Sequence, residues 1–236
     1  MSRTDRNDAA GPRGGALEPR VHAAGCGALL FDVAQSVFVP GIQARLWALA
    51  SSLAGPQAPA GVRDIVPGVN NLMLVFDPLQ LHPEQARAQL LQRWNQARAD
   101  ALPGRDIDVP VVYGGTGGED LEGLAARVGL NIEALVQAHA AATYAVACIG
   151  AYPGFAYLSG LPAELAQPRR SVPRARVAAG SVMIGGAQAG VMPCDGPSGW
   201  HVLGRTDLTL FDPKRARPCL FTPGDRVRFH AVKIES

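Results

Sequence analysis

The sequence predicts an α+β protein in which a unit containing helices is followed by a unit made mainly of short strands. In the first half of the chain, apolar positions alternate between short strand-like runs and helical spacing. After Thr143 no long helical period remains, and glycine and proline divide short apolar runs. The 27 glycines and 19 prolines make up close to a fifth of the 236 residues, against about an eighth in average proteins, which argues against a helical bundle. Since 47% of the residues are apolar and the net charge is only +2, the chain can still bury a core.

The first unit is predicted from its apolar spacing and its turns. Its elements are a strand at 27–33, a helix whose apolar face carries Ile42, Leu46, Leu49 and Leu53, strands at 62–66 and 72–76, a helix at 83–98 and a strand at 106–113. The segment 67–71 has the composition of a turn, and Pro83 suits the first position of a helix. The order β-α-β-β-α-β is that of ferredoxin-like domains.

The second unit begins with a glycine-rich segment, 114–118, and continues into strands. The acidic residues after this segment suit the start of a helix that runs to about Val128, and Asn131 can cap a second helix at 132–140. The strand-like runs that follow are 144–149, 181–184, 201–203, 208–211 and 226–234. Short strands with frequent turns predict a closed or nearly closed β-barrel.

Charge and hydropathy exclude several classes of protein. The sequence pI of about 8.5 is low for a nucleic-acid-binding domain, for which a pI above about 9 is usual. The apolar run 23–31 is too short to span a bilayer, and residues 1–20 mix acidic and basic side chains unlike a secretory leader. We therefore expect a cytoplasmic protein with a disordered tail at 1–20 and with neither nucleic acid nor a membrane as a partner.

The four cysteines indicate reduced thiols rather than a metal site. Cys26, Cys148, Cys194 and Cys219 form no CxxC pair and no Cys/His spacing of a structural zinc site. We expect no metal.

The segment 150–200 is the strongest candidate for a functional site. It holds nine of the glycines and six of the prolines, and long irregular segments inside a compact domain are usually functional or disordered. Within it four arginines, Arg169, Arg170, Arg174 and Arg176, fall in eight residues with no acid between them. A guanidinium matches a carboxylate or phosphate bidentately. One or two of the four are expected in a ligand site, and the alternative is that they pair with acids elsewhere or are solvated.

Three other features each have a functional and a structural interpretation. The glycine-rich segment 114–118 could cradle a phosphate, but it lacks the P-loop pattern and two acids follow it, which favours a structural loop. Cys194 near His201 could be a nucleophile and its base, although a buried or partly buried thiol is favoured. His139 lies on the apolar face of its helix, which fits a core histidine or an acid–base group.

Several linear motifs, in this order, resemble one family. They are Tyr113-Gly-Gly-Thr-Gly-Gly-Glu-Asp-Leu121, Pro153-Gly-Phe-Ala-Tyr-Leu158, Pro168-Arg-Arg170, Pro173-Arg174, Ala179-Gly-Ser-Val182, Gly199-Trp200 with Gly204-Arg-Thr206, and Pro223-Gly-Asp-Arg-Val-Arg-Phe229. This set resembles the family of the 5-oxoprolinase B subunit, also called KipI or allophanate hydrolase subunit 1. The similarity spans about 62–232.

The resemblance implies a fold, an activity and partners. It implies a ferredoxin-like domain at 21–105 and a cyclophilin-like β-barrel domain at 106–236. It also implies a component of an ATP-dependent 5-oxoprolinase that opens 5-oxo-L-proline to L-glutamate together with the A and C subunits, of which the C subunit is the KipA or allophanate hydrolase subunit 2 type. ATP is then a co-substrate of the complex, and stand-alone activity is not expected.

The resemblance and the chemistry together give the candidate site residues. Arg169, Arg170 and Arg174 are expected to place positive charge where negative charge develops, and His139 is a candidate for proton transfer. The residues expected to bind substrate are Tyr113, Pro153, Phe155, Tyr157, Gln188 and Trp200.

The chain departs from the family pattern at three places. Met192 replaces a tyrosine, the segment 196–200 reads Gly-Pro-Ser-Gly-Trp instead of Ser-Pro-Gly-Gly-Trp, and Ala189 replaces a threonine. These changes, at Ala189, Met192, Gly196 and Ser198, could reshape the pocket and the choice of substrate. Two alternatives stay open: a carboxyltransferase-type subunit of a urea or allophanate pathway, which would need a separate biotin carrier, and a non-enzymatic inhibitor of a sporulation-type histidine kinase.

Overall fold

A computed structural model describes residues 18–33, 38–99 and 104–235. The first unit is an antiparallel four-stranded sheet with two helices. Its strands are β1 (Arg20–Ala23), β2 (Ala28–Asp32), β3 (Val62–Pro67) and β4 (Asn71–Phe76), and its helices are α1 (Pro40–Ala54) and α2 (Pro83–Gln96). The strand order across the sheet is β1-β2-β4-β3. Two prolines occupy the first turns of the helices, where no backbone N–H is required.

The helices are held on the sheet by a hydrophobic core that the apolar spacing predicts. Leu46, Leu49 and Leu53 of α1 are fully buried, and Phe31 of β2 packs against Trp94 of α2 with ring centroids 5.2 Å apart. Full burial of such side chains is worth about 1.5–3 kcal/mol each. This core fixes α1 against the sheet and leaves its other face free to meet the second unit.

Two predictions at the edges of this sheet are wrong. The strand at 106–113, predicted as the sixth element of the ferredoxin-like order, pairs in the barrel of the second unit instead. The edge position beside β2 is taken by β1, whose first residue, Arg20, pairs with Asp32 and does not belong to a tail. The predicted tail at 1–17 lies outside the described residues.

In the described part of the second unit, seven strands close a barrel. Its strands, in spatial order, are β10 (Gln188–Val191), β7 (Ala156–Ser159), β6 (Tyr144–Ile149), β13 (Arg226–Glu235), β5 (Asp106–Gly114), β12 (His201–Arg205) and β9 (Ser181–Gly185). Strand β9 pairs with β10 and so closes the ring. Helices α3 (Leu121–Val128) and α4 (Ile132–Ala141) and a two-stranded ribbon of β8 (Arg174–Val177) and β11 (Gly196–Ser198) complete the unit.

The sequence predicts the barrel, but not every strand in it. The strand expected at 208–211 is absent apart from an isolated bridge between Phe211 and Cys219. Strands β7 and β10 are not predicted individually, because they are only four residues long and lie among glycines.

The two units meet where α1 lies against β6. The pairing of β6 with β7 shifts its register between Val146 and Cys148, and such a bulge leaves backbone groups outside the ladder. The carbonyl of Ala147, at this bulge, accepts hydrogen bonds from the Gln43 side-chain amide (3.1 Å) and from the Trp47 indole N–H (3.0 Å). A bulge in one unit therefore supplies the acceptor that orients the helix of the other. No helix in the described ranges is long and apolar enough to cross a membrane.

Candidate functional site

Three neighbouring cavities lie around one side chain, that of Arg169. The α1 cleft, about 1120 Å³, separates α1 from the outer face of the barrel. The aromatic pocket, about 270 Å³, lies beside Trp200, and the arginine pocket, about 490 Å³, is bounded by Arg127, Arg170 and His201. Arg169 lines all three cavities.

The aromatic pocket is built from three rings that the sequence predicts as substrate-binding. Phe155, Tyr157 and Trp200 meet edge to face, with centroids 5.1–6.0 Å apart. Such contacts prefer this geometry and add about 0.5–1.5 kcal/mol each beyond area burial. The close approach of Trp200 to β9 requires glycine at 185, because a Cβ there would lie 2.7 Å from the indole ring. The Arg169 guanidinium lies 5.6 Å from the Trp200 ring centroid, within reach of a cation–π interaction.

The arginine cluster divides into paired and unpaired members. The buried carboxylate of Asp120 accepts hydrogen bonds from Arg170 (2.8 Å) and, through both terminal nitrogens, from Arg174 (2.7 and 2.8 Å). Arg176 is paired with Asp195 on the surface. Arg169, in contrast, forms no ion pair or side-chain hydrogen bond with the part of the chain that the structure describes. Pairing with acids thus applies to Arg170, Arg174 and Arg176, whereas Arg169, whose side chain is exposed, stays the candidate of the cluster for a ligand site.

Asp120 is charged because its partners outweigh its burial. Burial alone would raise the pKa of this carboxyl, but hydrogen bonds from Arg174 and from the Val202 N–H, with the charges of Arg174 and Arg170, lower the pKa below its ordinary value. One carboxylate therefore joins the arginine segment to the start of β12.

The backbone on both sides of Arg169 is fixed. The carbonyl of Pro168 is 2.8 Å from His201 Nε2, which must donate because a carbonyl only accepts. The other ring nitrogen, Nδ1, then accepts from Arg127 at 3.3 Å. On the far side, the Arg170 N–H donates to the carbonyl of Gly199 (2.8 Å). The unpaired guanidinium of Arg169 is thus carried by a well-anchored segment.

The α1 cleft holds another residue predicted to bind substrate, Gln188. Its walls include Trp47 of α1 and Ser159 and Gln188 of the barrel. No Asp or Glu is among the described residues that line it, whereas Arg169 and Arg226 are. The sequence therefore identifies residues that the fold distributes between two cavities meeting at Arg169.

Tyr113 and His139 lie together in the barrel core, and neither lines these three cavities. The Tyr113 hydroxyl and His139 Nδ1 share a hydrogen bond of 2.7 Å, and the Tyr144 hydroxyl donates to the His139 carbonyl. Burial lowers the pKa of His139 to about 3 and raises the pKa of Tyr113 well above its ordinary value. A neutral, enclosed imidazole of this kind fits the core-histidine interpretation.

Pro153 and Cys194 are exposed and take no part in these cavities. Both ring nitrogens of His201 are already bonded, to Pro168 and Arg127, so the suggested Cys194–His201 pair does not form. Among the described residues there is no group of His, Cys, Asp and Glu side chains that could hold a metal ion.

The glycine-rich segment packs against the end of β13 and has a structural role. A Cβ at Gly114, whose φ is 76°, would collide with the Glu235 carbonyl, and one at Gly115 would lie 2.5 Å from the Glu235 carboxylate. A carboxylate at this position would repel a phosphate. The structural interpretation of 114–118 is therefore the better one.

The departures from the family pattern occupy different environments. Met192 and Ser198 line the aromatic pocket, and Gly196 lies beneath Tyr152, whose hydroxyl would be 2.8 Å from a Cβ at 196. Ala189 is in the barrel core, so its missing hydroxyl does not alter a pocket wall.

Sequence reasoning misses three residues that define the site. Asp120 lies within the family motif, but the sequence suggests for it only the role of an acidic residue at the start of a helix. No local signal connects it with the arginines 50 and 54 residues away. Ser159 and Trp47 have no signal, because their importance depends on the strand register and on the α1–β6 contact.

The fold is that of an α+β protein whose closed barrel carries two neighbouring cavities, the α1 cleft and the aromatic pocket, with Arg169 at both. Residues 19–221 match the family model for the carboxyltransferase domain, subdomain C and D, and the chain belongs to this family. It is 43% identical to the 5-oxoprolinase B subunit of Escherichia coli O157:H7 over 79% of this chain and 84% of the relative. It is 40% identical to the 5-oxoprolinase B subunit of Haemophilus influenzae over 82% of this chain and 89% of that relative.

A solved structure extends the comparison to three dimensions. The crystal structure of TTHA0988 superposes with a TM-score of 0.76 at 35% identity, covering 88% of this chain but only 40% of that protein. The chain thus spans about two fifths of TTHA0988. The resemblance to the family of the 5-oxoprolinase B subunit is confirmed by the curated relatives.

Proposed function

We propose that this protein is the B subunit of an ATP-dependent 5-oxoprolinase, which opens 5-oxo-L-proline to L-glutamate together with the A and C subunits. The observation that carries the proposal is the identity of 37–43% with three curated relatives named as the B subunit of 5-oxoprolinase, over two thirds or more of both chains. Arg169, which lines all three cavities and forms no ion pair with the described residues, supports it, since the substrate carries a carboxylate.

The chemistry requires positive charge near the reacting amide. A lactam is a poor electrophile, and negative charge develops on its oxygen, or on a phosphoryl group from ATP, as the ring is activated. A guanidinium placed beside such charge stabilises it electrostatically. Arg169 is the member of the cluster that is free to do so, because Arg170 and Arg174 are bound to Asp120.

This proposal changes the roles of several predicted residues. Arg169 contacts the anionic substrate, and Phe155, Tyr157 and Trp200 form the apolar wall of the aromatic pocket beside it. Arg170 and Arg174 hold the arginine segment in place. Tyr113 and His139 support the barrel core, and Pro153 has no direct role.

ATP enters the proposal as a co-substrate of the complex. The glycine-rich segment 114–118 does not fit its phosphates, because the Glu235 carboxylate lies against it. We also assign the barrel at 106–236 to the cyclophilin-like folds, and the unit at 21–105 to the ferredoxin-like folds, with β1 in place of the fourth strand.

Reconstitution tests the proposed function directly. The chain is purified with the A and C subunits, and glutamate release from 5-oxo-L-proline is measured with and without ATP. Arg169→Gln is expected to lower kcat/KM by about 100-fold, the size of effect seen when one charge-stabilising donor is removed. Arg176→Gln, in the same segment but paired with Asp195 on the surface, is the matched control and should change little. If the A and C subunits are active with another B subunit yet silent with this chain, the proposal is wrong.

A carboxyltransferase role is the second candidate, favoured by the name of the matching family model. The chain has only two lysines, Lys214 and Lys233, and neither lies in a biotin-acceptor motif, so a separate carrier would be required. Carboxyl transfer from a carboxylated biotin carrier to urea, absent when the carrier is omitted, would favour this role.

A further inference from the structure

Five residues on five neighbouring barrel strands lie side by side and all line the α1 cleft. The strand register pairs Gly185 with Gln188, Gln188 with Ser159, Ser159 with Ala145, and Ala145 with Arg226. Directly paired residues project to the same face of a sheet, so the side chains of the four members other than Gly185 point together. We call this set the cleft row.

The cleft row lies on the outside of the barrel. The chain neighbours of its members, Ile184, Leu158, Val146 and Val227, belong to the barrel core, and successive residues of a strand face opposite sides. The row therefore faces α1.

Two members of the cleft row have polar groups without partners. Ser159 is 3% exposed, and its buried hydroxyl has no hydrogen-bond partner in the described chain. The half-buried amide of Gln188, directly opposite on β10, likewise makes no hydrogen bond with the described residues. A buried polar group left unpaired costs about 1–3 kcal/mol, so the Ser159 hydroxyl, with the half-buried Gln188 amide beside it, is a position where a ligand can supply a missing partner.

The charges around the cleft row narrow the class of ligand. Arg226 is neutralised by two hydrogen bonds of 2.8 Å to Asp106, whereas Arg169 has no ion pair among the described residues. With this available cation and no carboxylate in the described lining, the cleft suits a monoanion and disfavours a cation.

The opposite wall provides room and an apolar surface. Gly41 and Ala44 are small residues of α1, and Trp47 is held by its bond to the Ala147 carbonyl. The cleft, at about 1120 Å³, exceeds the volume of a single small metabolite several times. A small ligand at the cleft row therefore leaves space for a second reactant.

We infer that the cleft row is the recognition site for a cyclic amide that carries a carboxylate, which is 5-oxo-L-proline if the proposed function is correct. The Gln188 amide and the Ser159 hydroxyl each offer a donor and an acceptor, which complement the N–H and C=O of a lactam. Arg169 binds the carboxylate bidentately. Ser159 thereby becomes a substrate-binding residue, and Gln188 acts here rather than in the aromatic pocket.

Ligands that lack one group each test this assignment. The full chain is titrated by calorimetry with 5-oxo-L-proline, with cyclopentanecarboxylate, which lacks the amide, and with 2-pyrrolidinone, which lacks the carboxylate. Ser159→Ala and Gln188→Leu are each expected to weaken 5-oxo-L-proline binding about ten-fold, the effect of one lost hydrogen bond, and to leave cyclopentanecarboxylate unchanged. Arg169→Gln should weaken both carboxylates and leave 2-pyrrolidinone unchanged.

A cavity-filling pair of variants provides the control. Ala44→Trp fills the cleft from α1 and should abolish binding, while Ala54→Trp, at an exposed position of the same helix, should bind as the unaltered chain does. The same variants are assayed for KM in the complex with the A and C subunits. If the complex converts 5-oxo-L-proline and Ser159→Ala, Gln188→Leu and Ala44→Trp all retain its affinity and KM, the inference is overturned and the proposed function stands. If the complex is inactive but the titrations show the expected losses, the proposed function fails and the cleft remains a lactam site.

Discussion

Asp120 determines which arginine of the cluster is available to a ligand. Its carboxylate is 8% exposed and satisfies Arg170, Arg174 and the N–H of Val202 at once. Removing the charge of Asp120 is costly, because Arg170 and Arg174 are partly buried and would lose the carboxylate that they bind. Arg169 lies next to this network but outside it, which keeps its guanidinium available to a ligand.

Asp120→Asn is expected to destabilise the protein by about 2–3 kcal/mol. The substitution keeps the shape of the side chain but removes the negative charge that two partly buried arginines bind. Urea unfolding at pH 7 measures the change. Asp207→Asn, which disrupts an exposed pair with Arg205, should cost less than about 0.5 kcal/mol. Equal effects of the two substitutions would contradict the role given to Asp120.

The pH dependence of the Asp120 network has a defined sign. Because the folded state lowers the pKa of Asp120, its contribution is present above the unfolded pKa of about 3.9 and is lost as the pH falls through the lower folded value. Asp120→Asn should therefore cost less as the pH falls below about 4 than it does at pH 7. An unchanged difference between variant and parent in acid would contradict this.

His139 is expected to make the protein less stable in mild acid. Its folded pKa is about 3 because of burial, whereas an unfolded histidine titrates near 6.5, so the unfolded chain binds one more proton between these values. Stability from this group is full above about pH 6.5 and falls by up to about 1.4 kcal/mol per pH unit below it.

His139→Leu tests whether the buried imidazole causes this loss of stability in acid. At pH 7 the variant should lose about 1–3 kcal/mol, because the Tyr113 hydroxyl loses its partner, but its stability should fall less steeply between pH 6.5 and 4.5 than that of the parent. Parallel stability curves for variant and parent would contradict a neutral buried imidazole.

At the scale of elements, hydrophobic spacing predicts the helices and the longer strands but not the sheet to which each strand belongs. The helix starting at Pro83 and the strand at 71–76 follow directly from local spacing. Strand β5 has the same local pattern as the other strands, and only its pairings with β12 and β13, which are far away in the sequence, assign it to the barrel. The edge position beside β2 is taken by β1, which has only four residues, most of them exposed.

The same limit applies to the candidate site. Motif and composition identify Arg169, the aromatic residues and Gln188, because their residue types carry the chemistry. Which arginine is free depends on Asp120, and the partner of Gln188 depends on the β7–β10 register. Neither fact is local in the sequence.

The contact between α1 and β6 makes a prediction at the element scale. Trp47→Phe keeps a ring in the cleft wall but removes the N–H that bonds the Ala147 carbonyl, so it should cost about 1 kcal/mol. Amide hydrogen exchange should speed up in α1 more than in α2. An equal increase in the amide exchange rates of both helices would show that the Trp47 hydrogen bond does not fix α1 in particular.

On the scale of the whole molecule, a small polar junction connects two units that each have a hydrophobic core of their own. One core lies between the four-stranded sheet and its helices, the other inside the barrel. Gln43, fully buried, connects them: its amide donates to Gly68 and Ala147, and its oxygen accepts from the N–H of Asn70. One side chain thus satisfies groups from both units, and the α1 cleft depends on that alignment.

We expect Gln43→Leu to uncouple the two units while leaving each of them folded. Leucine fills a similar volume but removes the Gln43 partner of the Asn70 N–H and of the Gly68 carbonyl and leaves the Ala147 carbonyl with the Trp47 N–H alone. The loss of about 2–3 kcal/mol falls on the junction and not on either core. In scanning calorimetry the parent should give one transition whose van't Hoff and calorimetric enthalpies agree, and the variant two overlapping transitions whose enthalpies do not. Gln96→Leu, at the exposed end of α2, is the control and should preserve a single transition. A Gln43→Leu variant that still unfolds in one step, merely at a lower Tm, would mean that the barrel and the sheet are coupled by contacts other than this junction, and Gln43 would then count only as a buried side chain of the first unit.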